Sequence, residues 1–195
     1  TPKFHWYRPH VAILTGIAWD HINVFPTFEN YVDQFKIFVE RIQEDGKLFW
    51  FGEDDNLKSI ANANSKITST PYNNVEYTLD EHSQPIVEFN NIKHKMSVFG
   101  DHNMQNINAA RLACLEAGVN ENDFWKAIES FEGAAKRLQL VKDNDNSSFY
   151  IDFAHAPSKL KATVNAIKQK YEKRKLIACI ELHTFSSLQK NYIPQ

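Results

Sequence analysis

Glycine is scarce in this chain and cysteine scarcer. Among 195 residues there are six glycines, at positions 16, 46, 52, 100, 118 and 133, and two cysteines. None of the glycines opens a Gly-Lys-Thr or Gly-Lys-Ser turn, which excludes a phosphate cradle of that type built from these residues. Two cysteines exclude a disulfide scaffold. Cys114 falls in a helical pattern and Cys179 in a strand pattern, so two buried free thiols in a reducing compartment are expected. Basic residues are not in excess: 22 Lys and Arg against 24 Asp and Glu leave a net charge of −2, so there is no cationic footprint for a nucleic acid. The longest apolar runs, such as "VAIL" and "LIACI", are far too short to cross a bilayer, so no membrane is expected as a partner. No charged segment followed by an apolar stretch opens the sequence, and no secretory signal is expected. What is present is a 43% hydrophobic composition, enough to bury a real core as one large domain or two small ones.

"PHVAILTGI" (9–17) is an apolar run of the kind found in strands buried on both faces. Residues 27–45 predict a helix: Phe28, Tyr31, Val32, Phe35, Phe38, Val39 and Ile42 recur at spacings of three and four, Thr27 can cap the start and Gly46 can end it. "KLFWFG" (47–52) follows as a strand and "NLKSIANAN" as a short helix. This alternation predicts crossover units on a parallel sheet. Then "KITSTPY", "VEYTLD", "PIVEFN" and "KHKMSVFG" read as a small antiparallel layer. Helices are predicted at 103–117 and 121–131, and the polar stretch 132–148 is the best hinge. After it, "SFYIDFA", a helix at 157–172 and "RKLIACIEL" predict one βαβ unit.

Three places concentrate chemistry. In "TGIAWDHINVF" (15–25), Asp20 and His21 follow a buried strand, where open α/β sheets bind ligands. The pair suits a metal or phosphate site, but on sequence chemistry alone a turn in which Asp20 caps and His21 is solvated is the more ordinary reading. In "FGDHNMQNINAA" (99–110), His102, Asn103 and Asn106 load a helix start with more hydrogen-bonding side chains than capping needs. A flat ring and two amides can match a purine base. In "DFAHAPSKL" (152–160), Asp152 and His155 close a strand and Pro157 opens a helix, whose N-terminus favours anions.

In this order these stretches resemble the Mur ligase family. "TGIAWDH" resembles the family's TNIxxDH, "FGDHNMQNINAA" its GxHNxxNxxAA, "FEGAAKRLQL" its FxGxxRRxE, and "DFAHAPSKL" its DDYxHHPxE. Residues 3–35 are most similar to the murein peptide ligase branch. The resemblance implies an α/β fold: a parallel-sheet central domain with a small antiparallel layer, then the first βαβ unit of a Rossmann-like C-terminal domain. The implied limits are 1–135 for the central ATPase domain, 136–147 for the hinge and 148–195 for the start of the C-terminal domain. The implied activity is ATP-dependent, ADP-forming amide ligation in the cytoplasm, in peptidoglycan recycling. It joins L-alanyl-γ-D-glutamyl-meso-diaminopimelate, or another peptide or amino acid, to UDP-N-acetylmuramate. The alternatives are the L-alanine-adding ligase of the same acceptor, a folylpolyglutamate synthase-like ligase, and a non-catalytic nucleotide-binding relative.

By the same resemblance the cofactors are ATP and Mg²⁺. His21 matches a magnesium ligand, His102, Asn103 and Asn106 the adenine site, Arg137 a contact to ATP phosphates, and Asp152 and His155 residues beside the nucleotide. Several family residues are replaced. Ile151 stands for the first Asp of DDY, Ala156 for the second His of HHP, and Gln139 for the Glu after RR. The family's phosphate loop, its metal-binding Glu upstream of DH and its UDP-binding domain have no counterpart in these residues. The 195 residues are therefore expected to be inactive alone and to represent part of a longer protein.

Overall fold

A computed structural model describes residues 2–181. The chain divides into two compact units. One contains the residues up to Val75 together with Gln105–Phe124; the other contains Glu76–Met104 and the residues from Trp125 onward.

The first unit is built on a parallel sheet. Strands β1 (Val11–Leu14), β2 (Lys47–Phe51) and β3 (Thr68–Tyr72) lie in that order, with Ala12 opposite Leu48 and Trp50 opposite Pro71. Among the described residues β1 and β3 are thus the two edges. Helix α1 (Phe28–Glu40) starts where expected, with the Thr27 hydroxyl accepting the Asn30 N–H at 3.1 Å. It ends earlier than its apolar spacing predicts, and Gly46 serves another purpose. A Cβ there would sit 2.6 Å from Ile42 Cγ2 and 2.9 Å from the His10 carbonyl, so the bare backbone lets the chain turn tightly into β2. Helix α2 (Asp55–Asn62) and α1 bury Val39, Ile42, Leu57, Ile60 and Ala61 with Ala12, Leu14, Leu48 and Trp50. Helix α3 (Asp101–Glu116) crosses from one unit to the other. Its Ala109 and Leu112 pack in a second cluster with Phe49, Tyr72, Val11 and Ile13. The sheet is therefore covered on both faces, which is why β1 reads as an unbroken apolar run.

"KITSTPY", expected in the antiparallel layer, contains β3, which instead runs parallel to β2. Its Thr and Ser alternation resembles a half-exposed strand because β3 is an edge of which only Tyr72 is buried.

The second unit holds the antiparallel layer, β4 (Thr78–Leu79), β5 (Pro85–Phe89) and β6 (Ile92–Lys95). The Asp80 carboxylate closes the β4–β5 turn by accepting the His82 and Gln84 N–H groups, each at 2.9 Å. Its hydrogen-bonded contact with Lys95, then these backbone bonds, bring its pKa down to about 2. Helix α4 (Glu121–Ile128) also crosses between the units. From its Trp125 onward it belongs with β6, where buried His94 meets the Glu129 carboxylate at 2.7 Å and lies 6.0 Å from the Trp125 ring.

Within the stretch expected as a hinge, β7 (Gln139–Asp143) forms a hairpin with β8 (Ser148–Ile151), and "NDNS" is its turn. Asn144 Oδ1 accepts the backbone N–H groups of Asn146 and Ser147, so a tract that looks like linker is a closed loop. Helix α5 (Pro157–Lys170) follows, with Ala166 buried against Phe99 and Leu138. The expected βαβ unit does not form among the described residues. β8 pairs antiparallel with β7, and residues 175–181 form no strand. A parallel strand is held by its neighbours in a sheet, and Ile177 is 81% exposed, with no strand paired to it among the described residues. Leu182, the end of that predicted strand, lies outside the described residues. Both cysteines are free; Cys114 is half-buried, and Cys179 is exposed rather than buried, because the strand expected to contain it is not formed among the described residues. No described helix is long and apolar enough to cross a membrane.

Candidate functional site

The loop after β1 carries Asp20 and His21. It leaves the sheet through Gly16, whose φ of +152° lies beyond the usual range of other residues, and then buries Ile17. Asp20 is 7% exposed, and its Oδ1 accepts the His21 N–H at 2.8 Å. The His21 backbone is left-handed, with φ +55°, and its carbonyl accepts Val24 N–H at 2.8 Å and Phe25 N–H at 3.0 Å. Histidine adopts this conformation more readily than most residues, yet it still costs energy that the surroundings must hold. The Trp19 indole closes the loop by donating to the Phe25 carbonyl at 3.1 Å. The His21 side chain is 63% exposed, with Nε2 3.9 Å from Asp20 Oδ2. An open imidazole beside a carboxylate fits one or two positions around Mg²⁺, which keeps several waters and takes few protein ligands when phosphates supply the rest. Among the described residues no group of three or more metal-binding side chains is assembled, so His21 and Asp20 make no closed metal cage.

The loop is held from two sides by Asp54 and Gln105, neither of them among the residues expected in the site. Asp54 Oδ2 accepts the Ile17 N–H at 2.7 Å, while its Oδ1 accepts the N–H groups of Asn56 and Leu57 and caps α2. The Gln105 side-chain amide donates to the Thr15 carbonyl. The available signal was an Asp one position before a helix and just after a buried strand, in "FGEDDN".

His102, Asn103, Arg137, Asp152 and His155 all fall in the second unit, whereas Asn106 falls in the first, exposed on α3. Asn103 donates its side-chain amide to the Phe99 carbonyl at 2.8 Å, a bond back across the helix start. It also lines a cleft of about 90 Å³ with Arg137, Leu138, Tyr150 and Lys170. That volume is well under the roughly 300 Å³ at which ordinary ligand pockets begin. Lys170 Nζ sits 4.2 Å from the centre of the Phe99 ring. Burial of Tyr150, then its 2.8 Å hydroxyl contact with Tyr171, pushes its phenol pKa up.

Arg137 stands in a strained turn. Lys136 and Leu138 on either side have φ of +56° and +49°. The Asp152 carboxylate accepts the Leu138 N–H at 2.7 Å, and the Phe153 N–H donates to the Lys136 carbonyl at 2.9 Å. The guanidinium itself is exposed, 5.7 Å from the centre of the Phe153 ring. His155 donates from Nδ1 to the Phe153 carbonyl at 2.9 Å. Asp152 thus has a structural task, pinning the turn that presents Arg137.

Burial lowers the His102 pKa from its ordinary 6.5, with the charges of Asp152 and then Asp101 opposing the shift. The unfolded chain binds this proton more readily than the folded one. The contribution to stability is therefore complete above pH 6.5 and is lost as pH falls from there through the folded value. Thermal melts should show a smaller fall in Tm between neutral and mildly acidic pH for His102→Gln than for the unsubstituted protein. An equal fall in both would remove His102 from this account.

Comparison with known proteins supports the same fold. MurF from Acinetobacter baumannii superposes with a TM-score of 0.71 at 22% identity, covering 85% of this chain and 39% of that one. A murein peptide ligase from Psychrobacter arcticus 273-4 has a TM-score of 0.61 at 25% identity, over 89% of this chain and 38% of its own. The UDP-N-acetylmuramate–L-alanine ligase of Clostridium botulinum (strain Langeland / NCTC 10281 / Type F) is 30% identical across 94% of this chain and 42% of its own length. The chain thus spans about two fifths of the length of these relatives. A family model described as the Mur ligase middle domain matches residues 3–114, more than half of the chain. The chain belongs to the Mur ligase family.

Proposed function

We propose that these residues are part of an ATP-dependent ligase that joins an amino acid or peptide to UDP-N-acetylmuramate in the cytoplasm. The observation that carries this reading is the coincidence of the family's middle domain with an exposed His21 beyond the first parallel strand. The Clostridium relative is named for UDP-N-acetylmuramate and L-alanine, and so bears on the acceptor; the Psychrobacter relative is named for the murein peptide, and so bears on the amine.

A carboxylate is a poor acyl donor, because its charge repels nucleophiles and oxide does not leave. Attack of the muramoyl carboxylate on the γ-phosphorus of ATP releases ADP and gives an acyl phosphate. Attack of the amine on its carbonyl carbon, with loss of a proton, then forms the amide and expels phosphate. Catalysis of such a sequence rests on positioning and on neutralising phosphate charge. In this reading His21, with Asp20 behind it, would hold Mg²⁺, which would supply positive charge against the phosphates. Arg137 contacts the phosphates from the turn that Asp152 pins. His102, Asn103 and Asn106 hold the adenine, with Asp152 and His155 beside the nucleotide. The domain layout proposed is 1–135 for the central domain, 136–147 for the junction and 148–195 for the start of the C-terminal domain.

Two amines compete. The similarity of residues 3–35 to the murein peptide ligase branch favours L-alanyl-γ-D-glutamyl-meso-diaminopimelate, and peptidoglycan recycling with it. The 30% identity to the Clostridium enzyme favours L-alanine. The full-length polypeptide containing this chain, supplied with ATP, Mg²⁺, UDP-N-acetylmuramate and each amine in turn, should yield ADP and one UDP-muramoyl conjugate detectable by mass. ADP release with neither conjugate would defeat the ligase reading.

A further inference from the structure

The Thr15–Ile17 turn is gripped at both ends by side chains distant in sequence. Gln105 holds the Thr15 carbonyl and Asp54 holds the Ile17 N–H at 2.7 Å. Between them Gly16 takes its φ of +152°, and beyond them the chain reaches Asp20 and the left-handed His21. An α2 cap alone needs one acceptor, and Ser, Thr or Asn would supply it. Asp54 uses both carboxylate oxygens, one for the cap and one for Ile17. An Asn at this position has a single acceptor, so one of the two bonds would become donor against donor.

We propose that Asp54, with Gln105, is a positioning residue for His21: the pair fixes the turn from which the His21 loop departs and so sets where the imidazole stands. The inference deepens the proposed function and rests on it for the role of His21. The left-handed backbone at His21 persists only where the neighbouring structure over-determines it. Asp20 supplies one local restraint through the His21 N–H. The two ends of the turn supply the others, from the cap of α2 and from α3.

The test uses the full-length protein with Mn²⁺ as a paramagnetic probe of the cation position. The His21 ring resonance is assigned by its loss in His21→Gln. In the unsubstituted protein, low Mn²⁺ should broaden that resonance. In Asp54→Asn the concentration needed should rise about 10- to 100-fold, the usual effect of losing a residue that orients a metal ligand. The Tm should stay within about 4 °C of the unsubstituted protein. Should Asp54→Asn fail to fold, Gln105→Met removes the other grip and is read in the same way. Equal broadening in a folded variant and the unsubstituted protein overturns the positioning role. A lower Tm with unchanged Mn²⁺ response overturns it too, since that is what a merely structural residue gives. Failure of the ligase reading is seen separately, as absence of any UDP-muramoyl conjugate from the unsubstituted protein.

Discussion

If the proposed ligase activity holds, replacing His21 with alanine in the full-length polypeptide that contains this chain should lower kcat by about 100-fold or more while leaving UDP-N-acetylmuramate binding nearly unchanged. The size follows from the chemistry assigned to the residue. Cation-assisted charge stabilisation at a transferring phosphoryl group is worth several kcal/mol, and every 1.36 kcal/mol is a factor of ten in rate. The selectivity follows from location. His21 stands on a loop beyond β1, and its side chain is mostly in solvent, being 63% exposed. Its removal therefore costs the fold little, and the left-handed backbone at position 21 is the main risk. His21→Asn controls for that risk, because asparagine tolerates the conformation. Steady-state rates with calorimetric titration of the acceptor decide the matter. A variant turning over like the unsubstituted enzyme would mean that His21 is a solvated loop residue.

The second large effect concerns the 195 residues taken alone. Given ATP, Mg²⁺, UDP-N-acetylmuramate and either amine, they should form no conjugate above a control without protein. None of the six glycines leads a Lys-Thr or Lys-Ser pair, so no backbone cradle of that type holds a γ-phosphate in line. Positioning of reactants accounts for a large share of the acceleration in such reactions, and His21 and Arg137 cannot supply it by themselves. The cleft beside Asn103 and Arg137, about 90 Å³, has room for a few waters. Mass spectrometry of the quenched mixture is the assay. Detectable conjugate would place the phosphate site among these residues after all.

What could be read from the sequence divides by range. The apolar run in β1 and the three-and-four spacing of α1 are local signals, and the parallel sheet with its covering helix followed from them. The edge strand β3 misled because "TSTPY" faces solvent at most positions and lacks the apolar run that marks a strand buried on both faces. The hairpin β7–β8 was hidden by its own turn, whose Asn, Asp and Ser residues look like linker until Asn144 is seen closing them. In the site, the loop positions of His21, Arg137 and Asp152 were legible as motifs. Their supports were not. Asp54 meets Ile17 across 37 positions, and Gln105 meets Thr15 across 90, pairings that no local pattern announces. Asp152 was read as a residue beside a nucleotide, and the structure adds that it accepts the Leu138 N–H and shapes the Arg137 turn.

Among the described residues the three-stranded sheet has one guarded edge, β3, and one, β1, that pairs with no further strand. Pro71 interrupts the hydrogen-bonding row of β3, a common protection against further pairing. β1, at the other end of the order, reads "VAIL", with neither charge nor proline. Two copies of the isolated chain brought together along β1 would add their ladders across a two-fold axis, giving one continuous six-stranded sheet. Pro71 would then disfavour growth at both outer ends. Self-association of these residues at high concentration is therefore expected to stop at pairs rather than run on into fibres.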